Sequence, residues 1–419
     1  MIKVEKTAVA DLKLGMFIAQ LDRPWIETPF PLQGFVLRQQ AEIKKLAELC
    51  RFVYVDHEKS VELEFAGHAV IAPAAKAKPA EKAPAIKGAI GHFERVSYEI
   101  TQPLKKEVAS ATIFHSEVVR AMLHLLSDLR VDKPLNFRAA RKAASVMVNS
   151  ILRNPDAMVW LARLKDSDSY SYQHGVRSSI LATVFGRHLG MPREILENLA
   201  CGTLLMDVGM ADLPRSLTHS STPLTDEQQQ EWQKHVAFSM RRLESCEGIN
   251  EQILALVQYH HERHDGSGFP FALEGSRIPL LARIAGLVEH YDMLTSPRPG
   301  VEAITSTRAV SMLYEQRDKA FQASLVEQFI QSIGVYPTGT LVEFNAGQVG
   351  VVVAQNTSRR LRPQVMLVLD EAKQPLVQPR IIDLLQVTED AKGEPLAIAG
   401  ALEAGSYQID LGALSVNAA

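Results

Sequence analysis

Cysteine is nearly absent from this chain: Cys50, Cys201 and Cys246 are the only three in 419 residues, far apart and odd in number. That excludes a disulfide framework and suits free thiols in a reducing compartment. An excess of charge of one sign is also missing, because 45 basic side chains are offset by 48 acidic ones, for a formal net charge of -3. No global pull toward a nucleic-acid polymer or an anionic membrane follows, although a local basic pocket remains open. No apolar run is long enough to span a bilayer, and Met1-Ile2-Lys3-Val4-Glu5-Lys6 lacks the apolar stretch of a secretory signal. The expectation is a cytoplasmic protein. Sequence repeats are absent as well. What the chain does have is 46% hydrophobic residues, enough for a large core and for two or three domains.

The pattern along the chain predicts a multidomain, mainly α protein. Residues 1–70 read as a small α+β domain, with short strands at Leu14–Ala19 and Arg51–Val55 and a helix over Ala41–Cys50. Residues 71–90 are dominated by Ala, Lys and Pro, which suits a semi-extended linker. Residues 91–334 are helical nearly throughout, with apolar stripes over Val118–Leu129 and Ala139–Leu152 and a helix beginning at Pro192. Thr225-Asp226-Glu227-Gln228 is a capping box, and the helix it starts is expected to carry Trp232 and His235. Two more helices are expected over Ile249–His261 and Ile278–Leu294. Residues 335–390 read as a β appendage with strands at 340–344, 350–354 and 365–369, and 391–419 as a tail whose last twenty residues are expected to fray. The whole is expected to be a helical bundle with small domains at either end.

The stretch His260-His261-Glu262-Arg263-His264-Asp265-Gly266-Ser267-Gly268-Phe269-Pro270 concentrates histidine and acid ahead of a rigid turn. Adjacent histidines are poor helix formers and partly titrating, so two readings stand side by side. Both rings face a metal or phosphate, or cationic rings offset the carbonyls of a helix end. His261 and His264 do not make a zincin motif, because those histidines must be four apart with glutamate beside the first. Other polar residues stand on apolar helices: His174, Asp207, His235, Glu289 and Asp292. A lone core histidine is more often hydrogen-bonded than metal-bound, and a lone carboxylate often caps or pairs. Together they offer His and Asp/Glu ligands from separate helices, a set suited to iron or manganese and less distinctively zinc.

In order and spacing these residues resemble the HD-GYP family, a branch of the HD superfamily of metal-dependent phosphohydrolases. The resemblance covers about residues 100–390 and rests on His174, Leu205-Met206-Asp207-Val208-Gly209, His235, His260-His261-Glu262, the Asp265–Pro270 turn, and Asp292 to Pro299. Residues 1–70, with Leu14-Gly15-Met16 and Leu21-Asp22-Arg23-Pro24-Trp25, look like the domain of unknown function that often precedes such modules in bacteria. The resemblance implies a central all-α HD-type bundle and a bacterial signalling protein directed at cyclic di-GMP or a related cyclic dinucleotide. Family members hydrolyse it to the linear dinucleotide and often to GMP. Metals activate water for in-line attack, and cations stabilise the charge that builds on phosphate oxygens. Signalling proteins and a second copy of the chain are further expected partners; a nucleic-acid polymer and a membrane are not.

The resemblance implies metal ligands at His174, Asp207 (a metal bridge), His235, His260, His261 and Glu289. It places ligand contacts at Arg263, Asp265, Gly268, Phe269, Pro270 and Arg298. Arg263 and Arg298 suit phosphate through their guanidinium forks, or an ion pair with Asp265 or Asp292. Several positions depart from the family. Its His-Asp histidine is Met206, the lysine after the next glycine is Met210, and a late aspartate is Glu289. An acid ahead of His174 is Tyr170, the signature tyrosine is Phe269, and an aromatic-basic pair is Gly300-Val301. A thioether cannot replace imidazole on iron or manganese. One set, His174, Asp207 and Glu289, is thereby weakened, and the other, Asp207, His235, His260 and His261, is complete. About one metal per chain, at most two, is expected. Three outcomes stay open: a degenerate signalling module, an impaired but active phosphodiesterase, and a scaffold around a structural metal. Arg241-Arg242 reads as a solvated face, and His188, His219 and His290 are given no role.

Overall fold

The computed structural model describes residues 4–23, 35–37, 40–57, 60, 93–164, 170–298, 300–356, 359, 361–390, 392–403, 405–414 and 416. The chain divides into two compact units, Met1–Pro79 and Ala80–Ala419. The expected linker over 71–90 and the Pro24-Trp25 pair lie outside the described residues.

In the first unit, β1 (Val4–Ala8), β2 (Phe17–Leu21), β3 (Phe35–Val36), α1 (Gln40–Leu49) and β4 (Phe52–Asp56) follow in order. The antiparallel sheet runs β1-β4-β2-β3. Ile18, Val53 and Val55 are fully buried, as the alternating pattern of a half-covered sheet requires. Leu14–Met16 forms no part of the expected strand, which begins at Phe17.

The second unit opens with α2 (Leu104–Arg130), α3 (Phe137–Arg153), α4 (Pro155–Leu164), α5 (Tyr170–His188) and α6 (Arg193–Leu205). A 3-10 turn at Val208–Asp212 precedes α7 (Arg215–Thr218), α8 (Asp226–Gln233), α9 (His235–Glu244) and α10 (Glu251–Tyr259). Then come α11 (Leu280–Thr295), α12 (Ser306–Glu315) and α13 (Ala323–Ile333). Side-chain caps start several of them: Asn136 accepts from Ala139 N at 3.0 Å and Asn250 from Gln252 N at 2.6 Å. The Thr225 capping box is complete on both sides. No helix among the described residues is long and apolar enough to cross a membrane.

α5 is the axis of the bundle, and every residue from Gln173 to Gly186 is buried. A helix enclosed on all sides has no polar face to reveal it, which is why no apolar stripe marked it in the sequence. Polar residues in such a helix must find partners. The Arg177 guanidinium forks onto Asp292 of α11, Nε to Oδ1 at 2.7 Å and Nη2 to Oδ2 at 3.1 Å.

The C-terminal sheet is built from β5 (Leu341–Phe344), β6 (Val349–Ala354), β7 (Gln364–Leu369), β8 (Pro375–Asp383) and β9 (Ile398–Ala401), in the order β8-β7-β6-β5-β9. All six residues of β6 are buried. One face looks into the core formed with Phe344, Val365 and Leu367, and α4 packs near the other. β8 and β9 were not foreseen. Ile398–Ala401 lies in the segment expected to be a tail but pairs antiparallel with β5, so the sheet continues past residue 390.

Candidate metal centre

Asp207 sits at the break between α6 and the Val208–Asp212 turn, at the N-cap position with its carboxylate making no capping bond. Gly209 makes the break possible: a Cβ there would collide with the His235 carbonyl oxygen and the Ser239 amide. Gly209 N donates to Ser239 Oγ at 2.8 Å, and that hydroxyl donates to the Met206 carbonyl at 2.8 Å. The carboxylate is thus held against α9.

The helix begun at Thr225 stops at Gln233, and His235 opens a separate helix, α9, instead of continuing the first. Its Nδ1–H donates to the Trp232 carbonyl at 2.7 Å, leaving Nε2 3.4 Å from Asp207 Oδ1. α10 likewise ends at Tyr259, one residue before the histidine pair. His260 Nδ1–H donates to Val257 O at 2.7 Å, and Nε2 lies 3.6 Å from Asp207 Oδ1. His174 of α5 bonds Asp292 Oδ2 through Nδ1 at 2.8 Å and presents Nε2 to Asp207 Oδ2 at 3.7 Å. In all three rings the far nitrogen is occupied, which fixes the ring and aims Nε2 inward, as outer partners do for metal-binding histidines. His261 brings Nε2 to 3.1 Å from His235 Nε2, and Nδ1 to 3.6 Å from Glu289 Oε2 of α11.

Two donor groups result, Asp207-His235-His260-His261 and His174-Asp207-Glu289, each with its donor atoms within 4.8 Å of one another. The six expected ligands therefore converge, with Asp207 shared. Three atoms at the meeting point are buried without a hydrogen-bond partner: Asp207 Oδ1, His260 Nε2 and Glu289 Oε2. Unpartnered buried acceptors cost about 1–3 kcal/mol each, and a divalent cation in the four-donor group would satisfy Asp207 Oδ1 and His260 Nε2. The donor set fits such an ion.

Electrostatics agree. Burial alone would raise the Asp207 carboxyl, but the imidazoles of His260, His235 and His174 outweigh it and hold the group well below the usual carboxylate range. Burial pushes His235 down to about 4. Burial, reinforced by His260 and His235, depresses His261 far below the ordinary imidazole value. Burial also opposes charge on His174 and His260, yet Asp292 raises the first, and Asp207 with Glu289 raises the second. Burial raises Glu289. The ionised Asp207 and the neutral rings of His235 and His261 are in the state that cation binding requires, whereas His174, His260 and Glu289 are shifted toward protonation and must lose their protons to ligate.

A cavity of about 440 Å³ opens beside this centre, reaching His174, Asp207 and Glu289. Met122, Leu126, Leu204, Met210 and Met293 supply its apolar wall, while Arg130, His219 and Arg298 supply basic groups. Met206 is fully buried and does not line it, so only one of the two methionines faces the cavity.

The expected ligand contacts divide. Arg298 lines the cavity, but Arg263, Asp265, Gly268, Phe269 and Pro270 do not. The turn folds back on the histidines: a Cβ at Gly268 would strike the Arg263 amide, and Phe269 stacks on His261 with centroids 4.5 Å apart. Arg263 donates to the carbonyls of His260 and Glu262, both at 3.0 Å, and lies over Phe321. Asp265 accepts from Ser267 N at 3.0 Å. The departure at Tyr170 concerns a side chain outside the described ones. Sequence reasoning missed Arg177, Trp232 and Ser239 as supports. Trp232 was the most accessible signal, three residues before His235, and its ring centroid lies 4.6 Å from that of His235. Arg242 is no solvated side chain: it binds Asp212 and Asp132 together.

Comparison with known proteins gives three family matches: an HD domain over residues 160–325, a domain of unknown function (DUF3391) over 5–140, and a KOW domain associated with HD domain over 341–389. The second extends through α2, well beyond residue 70. Cyclic di-GMP phosphodiesterase PA4108 of Pseudomonas aeruginosa is 29% identical over 384 residues, covering 91% of this chain and 89% of its own. Cyclic di-GMP phosphodiesterase response regulator RpfG of Xanthomonas campestris is 32% identical, covering 37% of this chain and 41% of its own. 3'3'-cGAMP-specific phosphodiesterase 1 of Vibrio cholerae is 25% identical, covering 48% and 50%.

Proposed function

Because the chain belongs to the HD-GYP branch of the HD-domain family, we propose that it is a bacterial cyclic di-GMP signalling protein that holds about one divalent ion, iron or manganese, and binds a cyclic dinucleotide with weak or absent hydrolysis. The observation that carries this reading is the convergence of Asp207, His235, His260 and His261 beside a cavity whose floor at Met210 carries no charge. The four-donor group would hold the ion. When bound, such an ion polarises phosphoryl oxygens and acidifies water.

The chain's own residues account for binding better than for turnover. Arg298 offers a guanidinium fork to a phosphate, and the methionine wall offers apolar surface to a base. Trp232 and Phe269 keep bulk water from the histidines, and Asp292 holds His174 in one orientation. What is missing is the imidazole at Met206 and the cation at Met210. One lost stabilising donor costs on the order of 3 kcal/mol of barrier.

A second reading is favoured by the other donor group. His174, Asp207 and Glu289 retain three donors and share Asp207 with the first, a layout compatible with two bridged metals and an active phosphodiesterase. Calorimetric titration with cyclic di-GMP, beside a product assay on the same sample with added manganese or iron, separates the two. Binding with little or no linear product supports the first reading; turnover at rates normal for such enzymes refutes it.

A further inference from the structure

With methionine at position 210, phosphate charge in the cavity needs another partner. We propose that Arg130, carried to the cavity by the last residue of α2, is the phosphate-contacting cation for the bound cyclic dinucleotide; this rests on the reading of the site given above. Arg130 and Met210 line the same cavity, together with Asp207.

The structure spares Arg130 for an outside partner. The two nearest carboxylates in sequence are both engaged by other cations: Asp128 pairs with Lys133 at 2.8 Å, and Asp132 with Arg242 at 3.3 Å. The Arg130 side chain has no hydrogen bond or ion pair among the described residues. The end of the helix is also fixed in place. Arg242 of α9 donates through Nη2 to Leu129 O at 3.4 Å and to Asp132, while its Nε donates to Asp212 Oδ2 at 2.8 Å. One guanidinium therefore ties the C-terminus of α2 to the turn that carries Met210 and follows Asp207. The backbone that carries Arg130 is thereby tied to the turn beside the metal centre, while its side chain stays free to reach a ligand. Its planar fork matches two phosphate oxygens, as a displaced lysine would with one point charge. Arg298 contributes from another wall, its backbone pinned by reciprocal bonds with Val301 at 3.1 and 2.9 Å.

The test is calorimetric titration of cyclic di-GMP into the metal-loaded full chain and into R130A, R130K and the remote surface control R138A, at two salt concentrations. Arg130 is exposed at a helix end, so its truncation leaves the core intact. The expected result is an affinity loss of about ten-fold or more for R130A, an intermediate loss for R130K and none for R138A. The affinity of R130A should also fall less with added salt than that of the original chain, because one screened charge contact is gone. Equal affinity for R130A and the original chain overturns the role of Arg130 and leaves the reading of the site standing. A loss for R130A with unchanged salt dependence also overturns it, because the effect is then structural. No binding by the folded, metal-loaded original chain overturns the site reading itself.

Discussion

Removing one ligand from each donor group separates them. H260A deletes a ring that belongs only to the four-donor group, and E289Q alters a carboxylate that belongs only to the three-donor group. Two of the unpartnered atoms, Asp207 Oδ1 and His260 Nε2, lie in the four-donor group. At about 1–3 kcal/mol each, an ion there relieves roughly 4 kcal/mol in total. By linkage, that much stabilisation corresponds to free metal at about a thousand times Kd. For a unit of this size each kcal/mol moves the melting temperature by about 2 °C. Chelation should therefore lower the melting temperature of the original protein by several degrees. Elemental analysis beside thermal unfolding, each with and without chelator, reads both quantities. The original chain should carry about one ion, E289Q should keep it, and H260A should lose both the ion and the chelator response. A chain that stays folded with no metal and no response to chelator removes the basis for a metal centre. Loss of metal in E289Q with retention in H260A places the strong site in the wrong group.

M206H combined with M210K should raise both the metal content and the hydrolysis of cyclic di-GMP; no gain in either refutes the assignment of those two losses as the cause of weak turnover. A pH effect should arise away from the site. Burial pushes Asp156 up to about 6, against the bond it accepts from Thr338 Oγ1 at 2.9 Å. A carboxyl raised in the folded state contributes stability that is present below its unfolded value and lost as pH rises through about 6. D156N stays neutral, so it should match the original chain at low pH and exceed it at pH 8 by up to about 3 kcal/mol. Urea unfolding at both pH values checks this, and a difference independent of pH contradicts it.

The ligand set was legible because chemistry leaves a mark in sequence when it defies burial. Asp207 and Glu289 each interrupt an apolar stretch, visible without a structure, whereas His174 and His235 stand in polar stretches and were marked by their order and spacing with the other histidines. Supports left weaker marks. Asp292 stood out as a carboxylate among apolar neighbours, but its partners His174 and Arg177 are more than a hundred residues away. α5 could not be read from a stripe because it has no exposed face. β9 escaped because Ile398–Ala401 is short and gains its place only by pairing with β5. The turn at Asp265–Pro270 carries structure that its lettering does not reveal. Gly268, expected as a ligand contact, approaches the Arg263 amide closely, and Phe269 stacks on His261.

The positions of the basic groups decide between binding and turnover. A cation that touches phosphate equally in the bound ligand and in the transition state strengthens affinity without accelerating reaction. Arg298 and Arg130 line the cavity together with Asp207 and, on the reading proposed above, serve that purpose. The cation missing at Met210 stands three residues after Asp207, on the turn that Asp207 precedes. There it would meet charge that develops only as the phosphodiester breaks. On the reading proposed above, methionine at that point lowers the rate more than the affinity. The same substitution adds polarizable apolar surface beside Met122 and Met293, which suits a nucleobase. On the reading proposed above, such a chain keeps the ligand and gives up the reaction, and cyclic dinucleotide occupancy, not its removal, is the signal the domain would pass on.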